Sequence, residues 1–481
     1  MRPRPAARTL RAMTAPLVDL ELLRRHDRPG PRYTSYPTAP HFHDGFGAAD
    51  LRQAAARSQA ADPARPLSLY VHVPFCTSPC FYCGCNRVIT RDRARGQAYA
   101  DRLNAEIALA AGLFDRARET IQVHFGGGSP NFLDPGQLGA LLERLGAHFG
   151  LSARADRDFS IEVDPRLVQP ADVAALAAIG FNRISLGVQD LDPAVQRAVN
   201  RLQDTAQILG TIDAARRHGM RSVNVDLIYG LPRQTLAGFR RTLDTLLVAR
   251  PERIAVYSYA HLPAMFRAQR RIDEAELPSP AAKLGLLQCA IDTLCAAGYV
   301  YIGMDHFALP GDELALAQAR GALHRNFMGY TTHAGSDLLG LGVSAISHVG
   351  DSFSQNPRDL PAWEARVDAG RLPTWRGLRL DDDDILRAAV IQQWMCHGRI
   401  DPRAVEAEHG IVFADYFAQA LERMRPLADD GLVVVGEDRI EATPRGRLLL
   451  RTVAMCFDRY LPAAAPAATG AAAASPVQRA A

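Results

Sequence analysis

The sequence predicts an α/β protein: an incomplete parallel (β/α)6-type barrel with an N-terminal extension and a small, mostly helical C-terminal domain. Between Leu67 and Ala260, six short β-rich runs alternate with amphipathic helical runs, as in a parallel sheet with right-handed crossovers. The chain of 481 residues is too long for one ordinary core, and its composition changes near Trp375. Six β/α units rather than eight favour an open barrel, although a doubly wound sheet would give a similar pattern.

The N-terminal stretch, Met1–Leu17, is rich in arginine but lacks the apolar core of a secretory signal. Met13 is an alternative start, which would make the first dozen residues a dispensable extension. No apolar run reaches the roughly 18 residues that a membrane-spanning helix needs, so we expect no membrane span. Closely spaced thiols without a signal peptide indicate a reducing, cytoplasmic location.

The charge of the chain argues against one class of function. A formal net charge of +3 is too small for a dedicated nucleic-acid-binding protein, so we expect no nucleic-acid partner. Lys283 is the single lysine among the 55 basic residues, and the others are arginine. An arginine in this chain is therefore weak evidence of function unless its motif supports it.

The barrel prediction rests on six strands and five helices. The predicted strands are Leu67–Val73, Ile121–Phe125, Phe159–Val163, Arg183–Val188, Ser222–Ile228 and Arg253–Tyr259. The predicted helices are Ala98–Leu113, Gln137–Phe149, Ala171–Ile179, Thr205–His218 and Leu236–Ala249. Residues 281–308 add a helix and a strand, Tyr299–Met304, and the Gly-rich stretch Leu323–Gly350 is predicted to be a loop.

The C-terminal part begins with an acidic run, Asp381–Asp384, which is typical of a helix N-terminus. Helices are predicted through Trp394, over Ala414–Leu427 and finally to about Leu461, with a hairpin of Gly431–Val435 and Arg439–Ala442 between the last two. A helical unit with a hairpin resembles a winged-helix module, which could bind nucleic acid or serve as a lid or packing domain. Its balanced charge favours the second reading. The tail from Pro462 is rich in Ala, Pro and Ser and is expected to be disordered.

The most informative motif is the run Cys76-Thr-Ser-Pro-Cys80-Phe-Tyr-Cys83, directly after the first strand. Three close thiolates without a fourth suit an iron–sulfur cluster that keeps one iron open. The alternatives are a structural zinc site, which favours two well-separated cysteine pairs, and ordinary core cysteines. The only nearby extra thiol is Cys85, and the remaining cysteines are more typical of buried small apolar residues: Cys289, Cys295, Cys396 and Cys456.

The carboxyl ends of parallel barrel strands gather at one rim, where chemistry usually occurs. The second strand runs into Gly126-Gly127-Gly128-Ser129-Pro130, whose glycines would let the backbone approach a ligand and offer free N–H groups to a carboxylate. Polar residues also follow the ends of the other predicted strands. Any one of them could be a helix cap or a hydrogen-bonded core group, but their common position at one rim favours a functional role. These residues are Glu162 and Asp164, Gln189 and Asp190, Asp226, and His261 after Tyr259.

These motifs resemble the radical S-adenosylmethionine (SAM) superfamily, whose signature is CxxxCxxC after the first barrel strand. Within it, the chain resembles the oxygen-independent coproporphyrinogen III oxidases from about Pro29 to Leu461. The related haem-chaperone branch differs after the third cysteine and lacks the N-terminal segment, so Cys83-Gly84-Cys85 and Arg32–Thr38 favour the oxidase. The other matching runs are Tyr70–Cys76, Gly303–Phe307, His324–Phe327, Gly342–Ile346 and Met455–Phe457.

The resemblance implies a [4Fe–4S] cluster held by Cys76, Cys80 and Cys83, and two SAM molecules. Contacts of the SAM on the cluster would be Tyr70, Gly127, Glu162 and Ile346. Contacts of the second SAM would be Tyr82, Gly128, Ser129, Gln189, Arg201, Asp226 and Ala260. Tyr82 stands where the family usually has phenylalanine, and Ser129 where it has threonine, while the role of Cys85 is open.

The resemblance also implies the reaction. A 5′-deoxyadenosyl radical made from SAM would take a hydrogen atom from the β-carbon of a propionate of coproporphyrinogen III, which then loses an electron and CO₂ to become a vinyl group. Two propionates would react to give protoporphyrinogen IX, a step in haem biosynthesis. The candidate catalytic residues are Tyr70, Glu162 and Asp226, at the rim that the propionates must reach.

The implied partners are coproporphyrinogen III, an electron donor for the cluster and an unidentified electron acceptor, and the protein is expected to be a monomer. The rival functions are a haem chaperone without decarboxylase activity and a nucleic-acid-binding regulator. The expected domains are residues 1–66, an N-terminal extension and substrate-side segment; 67–374, the radical SAM barrel and the following catalytic region; 375–461, the winged-helix-like helical domain; and 462–481, the tail.

Overall fold

A computed structural model describes residues 16, 18–26, 28 and 30–461 of the chain. The expected disorder from Pro462 onward and the question of the true start concern residues outside this part. No helix within the described ranges is both long enough and apolar enough to cross a membrane.

Seven parallel strands form the centre of the molecule. They are β1 (Leu67–Val73), β2 (Glu119–Gly127), β3 (Asp158–Val163), β4 (Arg183–Gln189), β5 (Ser222–Tyr229), β6 (Arg253–Ser258) and β7 (Asp337–Leu341). Their spatial order is β6-β5-β4-β3-β2-β1-β7. Strands β1 to β6 therefore lie side by side in chain order, whereas a doubly wound sheet places its first strand in the middle, as in the order 3-2-1-4-5-6.

The sheet stays open among the described residues, because β6 and β7 continue into antiparallel strands instead of pairing with each other. Beyond β6 the sheet contains His306–Ala308 and Val300–Gly303, and beyond β7 it contains Ile346–Val349, Ser352–Gln355 and Arg376–Arg379. The predicted incomplete barrel is confirmed. The remaining short strands are Phe75–Cys76, Val88–Ile89, Gly150–Leu151, His324–Asn326, Gly329–Thr331, Arg399–Ile400, Val433–Val435 and Ile440–Ala442.

Strands β1 to β6 each have one apolar face and one more polar face. On β1, Leu67, Leu69 and Val73 are 0 % exposed and pack in the core that the surrounding helices share. The alternate residue Tyr70 points to the other side of the sheet, since successive side chains along a strand alternate. Tyr70 pairs in register with His124 on β2 and with Gly340 on β7. The interior of the open barrel is therefore lined by polar side chains.

The helices between the barrel strands cover the outer face of the sheet and agree closely with the sequence prediction. Leu236–Ala249 has the predicted bounds, and Pro135–His148 begins at Asp134, which accepts a hydrogen bond from the backbone N–H of Gln137 as an N-cap. The other helices are Leu20–His26, Ala48–Ala61, Ala94–Ala111, Pro170–Ala178, Pro193–Ala198, Thr205–Arg217, Pro280–Ala296, Glu313–Arg320, Leu360–Asp368, Asp382–His397, Pro402–His409, Phe413–Tyr416, Ala418–Asp429 and Leu450–Phe457.

The prediction of a loop over Leu323–Gly350 was wrong, because this stretch contains the seventh parallel strand. β7 is buried along its whole length, so it lacks the polar–apolar alternation of a half-exposed strand. Its Gly340 suggested a turn, but a Cβ there would lie 2.6 Å from the carbonyl oxygen of Ile346. The glycine permits close packing of two strands.

The C-terminal helices form a second hydrophobic core, centred on Trp394 and Phe457. Asp381 caps the first of these helices through the N–H of Asp384, as the acidic run predicted. The helix predicted over Ala414–Leu427 is divided in two at Phe417, and the last helix ends at Phe457 rather than near Leu461. Four N-terminal residues complete this core: Leu22, Leu23, Tyr33 and Tyr36.

Candidate active site at the carboxyl rim of the barrel

The three-cysteine loop leaves the end of β1 and is closed by a short parallel pair of strands, Phe75–Cys76 and Val88–Ile89. The guanidinium of Arg87 donates hydrogen bonds to the backbone carbonyls of Cys80, Cys83 and Cys85 at 3.4, 3.1 and 3.4 Å. Arg87 therefore fixes the backbone of the loop. All the described cysteines are free thiols.

The thiols of the loop have different surroundings. Burial raises the pKa of Cys76 to about 11, although a contact of 3.5 Å with the hydroxyl of Ser129 opposes it. A hydrogen bond from Cys85 lowers the pKa of Cys83 to about 6, with help from the Arg87 charge. The backbone N–H of Cys85 also lies 3.4 Å from the Cys83 sulfur. Cys85 thus supports a neighbouring ligand candidate.

Two arginines approach the sulfur of Cys80. Nη1 of Arg201 lies 3.3 Å away and Nη2 of Arg166 lies 3.8 Å away. Both also bind Asp164, at 3.3 and 2.6 Å. Burial opposes ionisation of Asp164, but the two guanidinium groups outweigh it and lower its pKa. The two guanidinium groups therefore place positive charge next to the Cys80 thiol.

These surroundings fit an iron–sulfur cluster, because N–H groups and positive charge stabilise sulfur ligands that carry negative charge. Among the residues that the structure describes, no group of three or more His, Cys, Asp or Glu side chains converges on the position of a single metal ion. Three thiolates of a cubane bind three different iron atoms, so a cluster does not require such convergence.

Gly127 and Gly128, at the end of β2, must be glycine because they pack closely against the end of β1. Gly127 has φ +117°, and a Cβ there would lie 2.6 Å from the ring of His72. A Cβ on Gly128 would lie 2.6 Å from the carbonyl of Pro74. The two strand ends approach each other so closely that only glycine fits at these positions.

The expectation of free glycine N–H groups in this run was wrong for Gly127 and Gly128. The N–H of Gly127 donates to Glu162 at 3.2 Å, so the carboxylate that it meets is the protein's own. The N–H groups of Gly128 and Ser129 donate to the carbonyls of Val73 and Phe75 at 2.8 and 2.9 Å. The loop that follows β1 needs these donors for its own backbone.

The interior face of the barrel carries a chain of polar contacts. The hydroxyl of Tyr70 lies 3.0 Å from Nδ1 of His72, and its ring stacks on His124 at 5.8 Å. Nε2 of His124 lies 3.3 Å from Oε1 of Glu162, and Nδ1 lies 2.8 Å from Ser160. Burial opposes ionisation of Glu162, but the hydrogen bond to His124 and its charge lower the pKa of the carboxyl. The Glu162 side chain is still 44 % exposed, so it opens into the barrel.

Asp226 on β5 completes the set of candidate catalytic residues. It accepts hydrogen bonds from Ser185 at 3.1 Å and Asn224 at 2.9 Å. Burial, together with the negative charge of Glu162, raises its pKa to about 6. Tyr70, Glu162 and Asp226 thus share the interior face, and Glu162 and Asp226 are electrostatically coupled.

The remaining predicted cofactor contacts belong to other parts of the structure around the rim. Gln189 ends β4 with φ +68°, and Tyr82 packs in an apolar cluster with Tyr259 and Ile228. Ala260 is exposed just beyond β6. Ile346 packs in a separate apolar cluster with Phe42 and Phe353. Its backbone lies against Gly340, which is the register partner of Tyr70.

Sequence reasoning missed several residues of this site. His124 and Ser160 could have been found, because they stand at the interior positions of their predicted strands. Arg87 and Arg166 gave no signal in a chain so rich in arginine.

Comparison with known proteins agrees with this geometry. Residues 70–246 match the Radical SAM superfamily, and residues 380–449 match the HemN C-terminal domain. The chain is 50% identical over 444 residues to the oxygen-independent coproporphyrinogen III oxidase of Pseudomonas aeruginosa, covering 92% of this chain and 96% of that protein. It is 48% identical over 443 residues to the Escherichia coli enzyme of that name, covering 92% and 95%.

A solved structure of the Escherichia coli coproporphyrinogen III oxidase (HemN), described as a radical SAM enzyme, superimposes with a TM-score of 0.88. The superposition has 47% sequence identity and covers 93% of this chain and 100% of that chain.

Proposed function

Because the chain belongs to the family of the oxygen-independent coproporphyrinogen III oxidases, we propose that it converts coproporphyrinogen III to protoporphyrinogen IX without oxygen, in haem biosynthesis. Two propionate side chains each lose a hydrogen atom, an electron and CO₂, and become vinyl groups. The observation that carries the proposal is the three-cysteine loop at the rim of an open barrel whose interior presents Glu162 and Asp226, in a chain related to the oxidases along 92% of its length.

Cys76, Cys80 and Cys83 would hold a [4Fe–4S] cluster, with Arg87 fixing the loop and Arg201 and Arg166 balancing charge at Cys80. When bound, the cluster and SAM supply a 5′-deoxyadenosyl radical that can remove hydrogen from the β-carbon of a propionate. The task of the protein is to hold the substrate against this oxidant and to exclude water.

We propose that Tyr70, Gly127, Glu162 and Ile346 contact the SAM on the cluster. Glu162 is held ionised by His124, so it can attract the positively charged groups of that cofactor. A second SAM would lie along the rim, against the second set of residues: Tyr82, Gly128, Ser129, Gln189, Arg201, Asp226 and Ala260. Support for this set is their shared rim and the coupling of Asp226 to Glu162.

The protein would act as a monomer in the cytoplasm, with an electron donor for the cluster and an acceptor for the electrons of the substrate, and without nucleic acid. The domains would be residues 1–66, 67–374, 375–461 and 462–481. The two hydrophobic cores support a boundary between the barrel and the C-terminal helices.

The test is anaerobic incubation of the reconstituted protein with SAM, a reductant and coproporphyrinogen III. We expect 5′-deoxyadenosine, CO₂ and protoporphyrinogen IX together, in amounts that scale with each vinyl group formed. SAM cleavage without any vinyl product, combined with tight haem binding, would instead favour the haem-chaperone reading.

A further inference from the structure

The segment of residues 262–272, between β6 and the helix Pro280–Ala296, lies directly against the cysteine loop. A Cβ on Gly84 would lie 3.0 Å from the ring of Phe266, so that ring rests on the loop backbone. The guanidinium of Arg271 lies 5.5 Å from the ring centre of Phe81. Ile272 is buried in the same apolar cluster that contains Phe81 and Tyr82. The segment therefore forms a wall behind residues 81–84.

One polar side chain of this segment, that of Gln269, contacts both the cysteine loop and the chain that follows β6. Gln269 is 2 % exposed, and its amide nitrogen donates to the carbonyl of Tyr82 at 3.0 Å and to the carbonyl of Ala260 at 3.2 Å. Its amide oxygen accepts from the N–H of Leu262 at 2.5 Å. Both amide hydrogens and the acceptor are used, so the side chain is fully satisfied in a buried position.

These bonds join two chain segments that no strand pairing connects among the described residues. Tyr82 belongs to the cysteine loop after β1, and Ala260 follows β6, so five strand-to-strand steps separate them within the sheet. The distance between the two segments is therefore set by side-chain contacts across the rim, among them those of Gln269.

We infer that Gln269 is a positioning residue that holds Tyr82 of the cysteine loop at a fixed distance from Ala260 at the end of β6. This inference rests on the proposed function, because Tyr82 and Ala260 are two proposed contacts of the second SAM. The Gln269 amide contacts backbone groups of Leu262, Tyr82 and Ala260. Its effect is to set the width of the space between the two backbone segments.

The experiment compares Gln269→Met and Gln269→Glu with the native protein after anaerobic reconstitution. Methionine keeps the volume without the hydrogen bonds, and glutamate turns a carboxylate toward two carbonyls. Gln288→Met is the matched control, because the Gln288 amide donates to Asp292 of its own helix at 2.6 Å, in an exposed bond away from the cysteine loop. The measurements are iron content, the electron paramagnetic resonance signal of the reduced cluster with and without SAM, SAM stoichiometry, and hydrogen exchange.

We expect both variants to retain iron and the SAM-induced change of the cluster signal. The second SAM should bind at least about tenfold more weakly, and residues 80–86 and 259–262 should exchange faster together. Faster exchange confined to residues 262–272, with SAM stoichiometry unchanged, would overturn the inference in favour of a purely local structural role. The control should match the native protein in every measurement.

If the native protein bound a single SAM per chain, the proposal of two SAM molecules would be refuted. The role of Gln269 would still be decided by whether residues 80–86 and 259–262 exchange hydrogen faster together in the variants. Should Gln269→Met give no folded protein, Arg271→Met loosens the same wall from Phe81 without leaving a buried polar group unpaired. That variant should speed the exchange of residues 80–86, and unchanged exchange there would count against the inference.

Discussion

The imidazole of His124 lies 3.3 Å from the carboxylate of Glu162, and the same ring stacks on Tyr70. One side chain of β2 thus orients a carboxylate of β3 and an aromatic ring of β1. These contacts are possible because all three residues face the barrel interior at neighbouring register positions of adjacent strands.

His124→Leu should weaken binding of the SAM on the cluster by about tenfold, because Glu162 loses the group that holds its carboxyl ionised and oriented. Iron content should stay unchanged, since His124 is not a cluster ligand. Isothermal titration of the reconstituted protein with SAM measures the effect, and His124→Gln should lose less because an amide can still donate to Glu162. Equal affinity in native and Leu variants would show that the contact does not matter for binding.

Each of Cys76→Ala, Cys80→Ala and Cys83→Ala should abolish iron binding and activity, because a cubane with only two protein ligands is not held. Cys85→Ser should retain the cluster, since its backbone N–H still reaches the Cys83 sulfur. Iron analysis and the absorbance of anaerobic preparations provide the measurement. A native protein that binds zinc and shows no iron absorbance would refute the cluster assignment.

Gly127→Val should lower SAM affinity while the cluster signal survives. Its φ of +117° is unfavourable for any residue with a Cβ, and the added group would meet His72 at 2.6 Å. Gly285→Ala is the control, because a Cβ there would meet no atom of another described segment within 4 Å. If SAM binding were unchanged in Gly127→Val, the glycine run would be only a turn.

Asp226 should make stability depend on pH below neutrality. Its pKa of about 6 in the folded protein exceeds the usual 3.8, so the folded state binds a proton more tightly than the unfolded state between these values. The stability gained from this proton is present below pH 4 and is lost as the pH rises to about 6. Urea midpoints of the native protein should therefore fall relative to those of Asp226→Asn across this range.

The control for that measurement is Asp213→Asn, because the Asp213 side chain is 67% exposed and pairs with Arg217 of its own helix. It should follow the native pH profile. If the urea midpoints of the native protein and of Asp226→Asn changed in parallel with pH, the pKa of Asp226 would be the same in the folded and unfolded states.

Arg118→Met should destabilise the fold by about 3 kcal/mol, because the buried carboxylate of Asp337 loses its nearer cation and keeps only the guanidinium of Arg65, which lies 3.6 Å away. Arg118 and Asp337 are 2.6 Å apart, with side chains only 0% and 2% exposed. Arg217→Met removes an exposed pair with Asp213 and should cost no more than about 1 kcal/mol. Denaturant titration of both variants provides the comparison, and equal losses would contradict it.

The strands and helices of the barrel could be predicted because each has a continuous apolar face of the right period. β7 could not, since a short strand buried on both faces and containing Gly340 has the composition of a loop. The cysteine loop and the rim carboxylates were visible as motifs. The links between them, through His124, Arg87 and Gln269, depend on which residues the fold brings together, and no local pattern reveals that.

The placement of β7 has a consequence for biosynthesis. β1 pairs with β2 on one side, but on the other side it pairs with Asp337–Leu341, so Leu67 meets Asp337 only after most of the chain has been made. Until then the nascent polypeptide carries an unpaired strand edge beside the cysteines, and such edges invite association with other chains. Any product truncated before residue 341 keeps that edge permanently, so premature termination yields an aggregation-prone fragment rather than a smaller working enzyme.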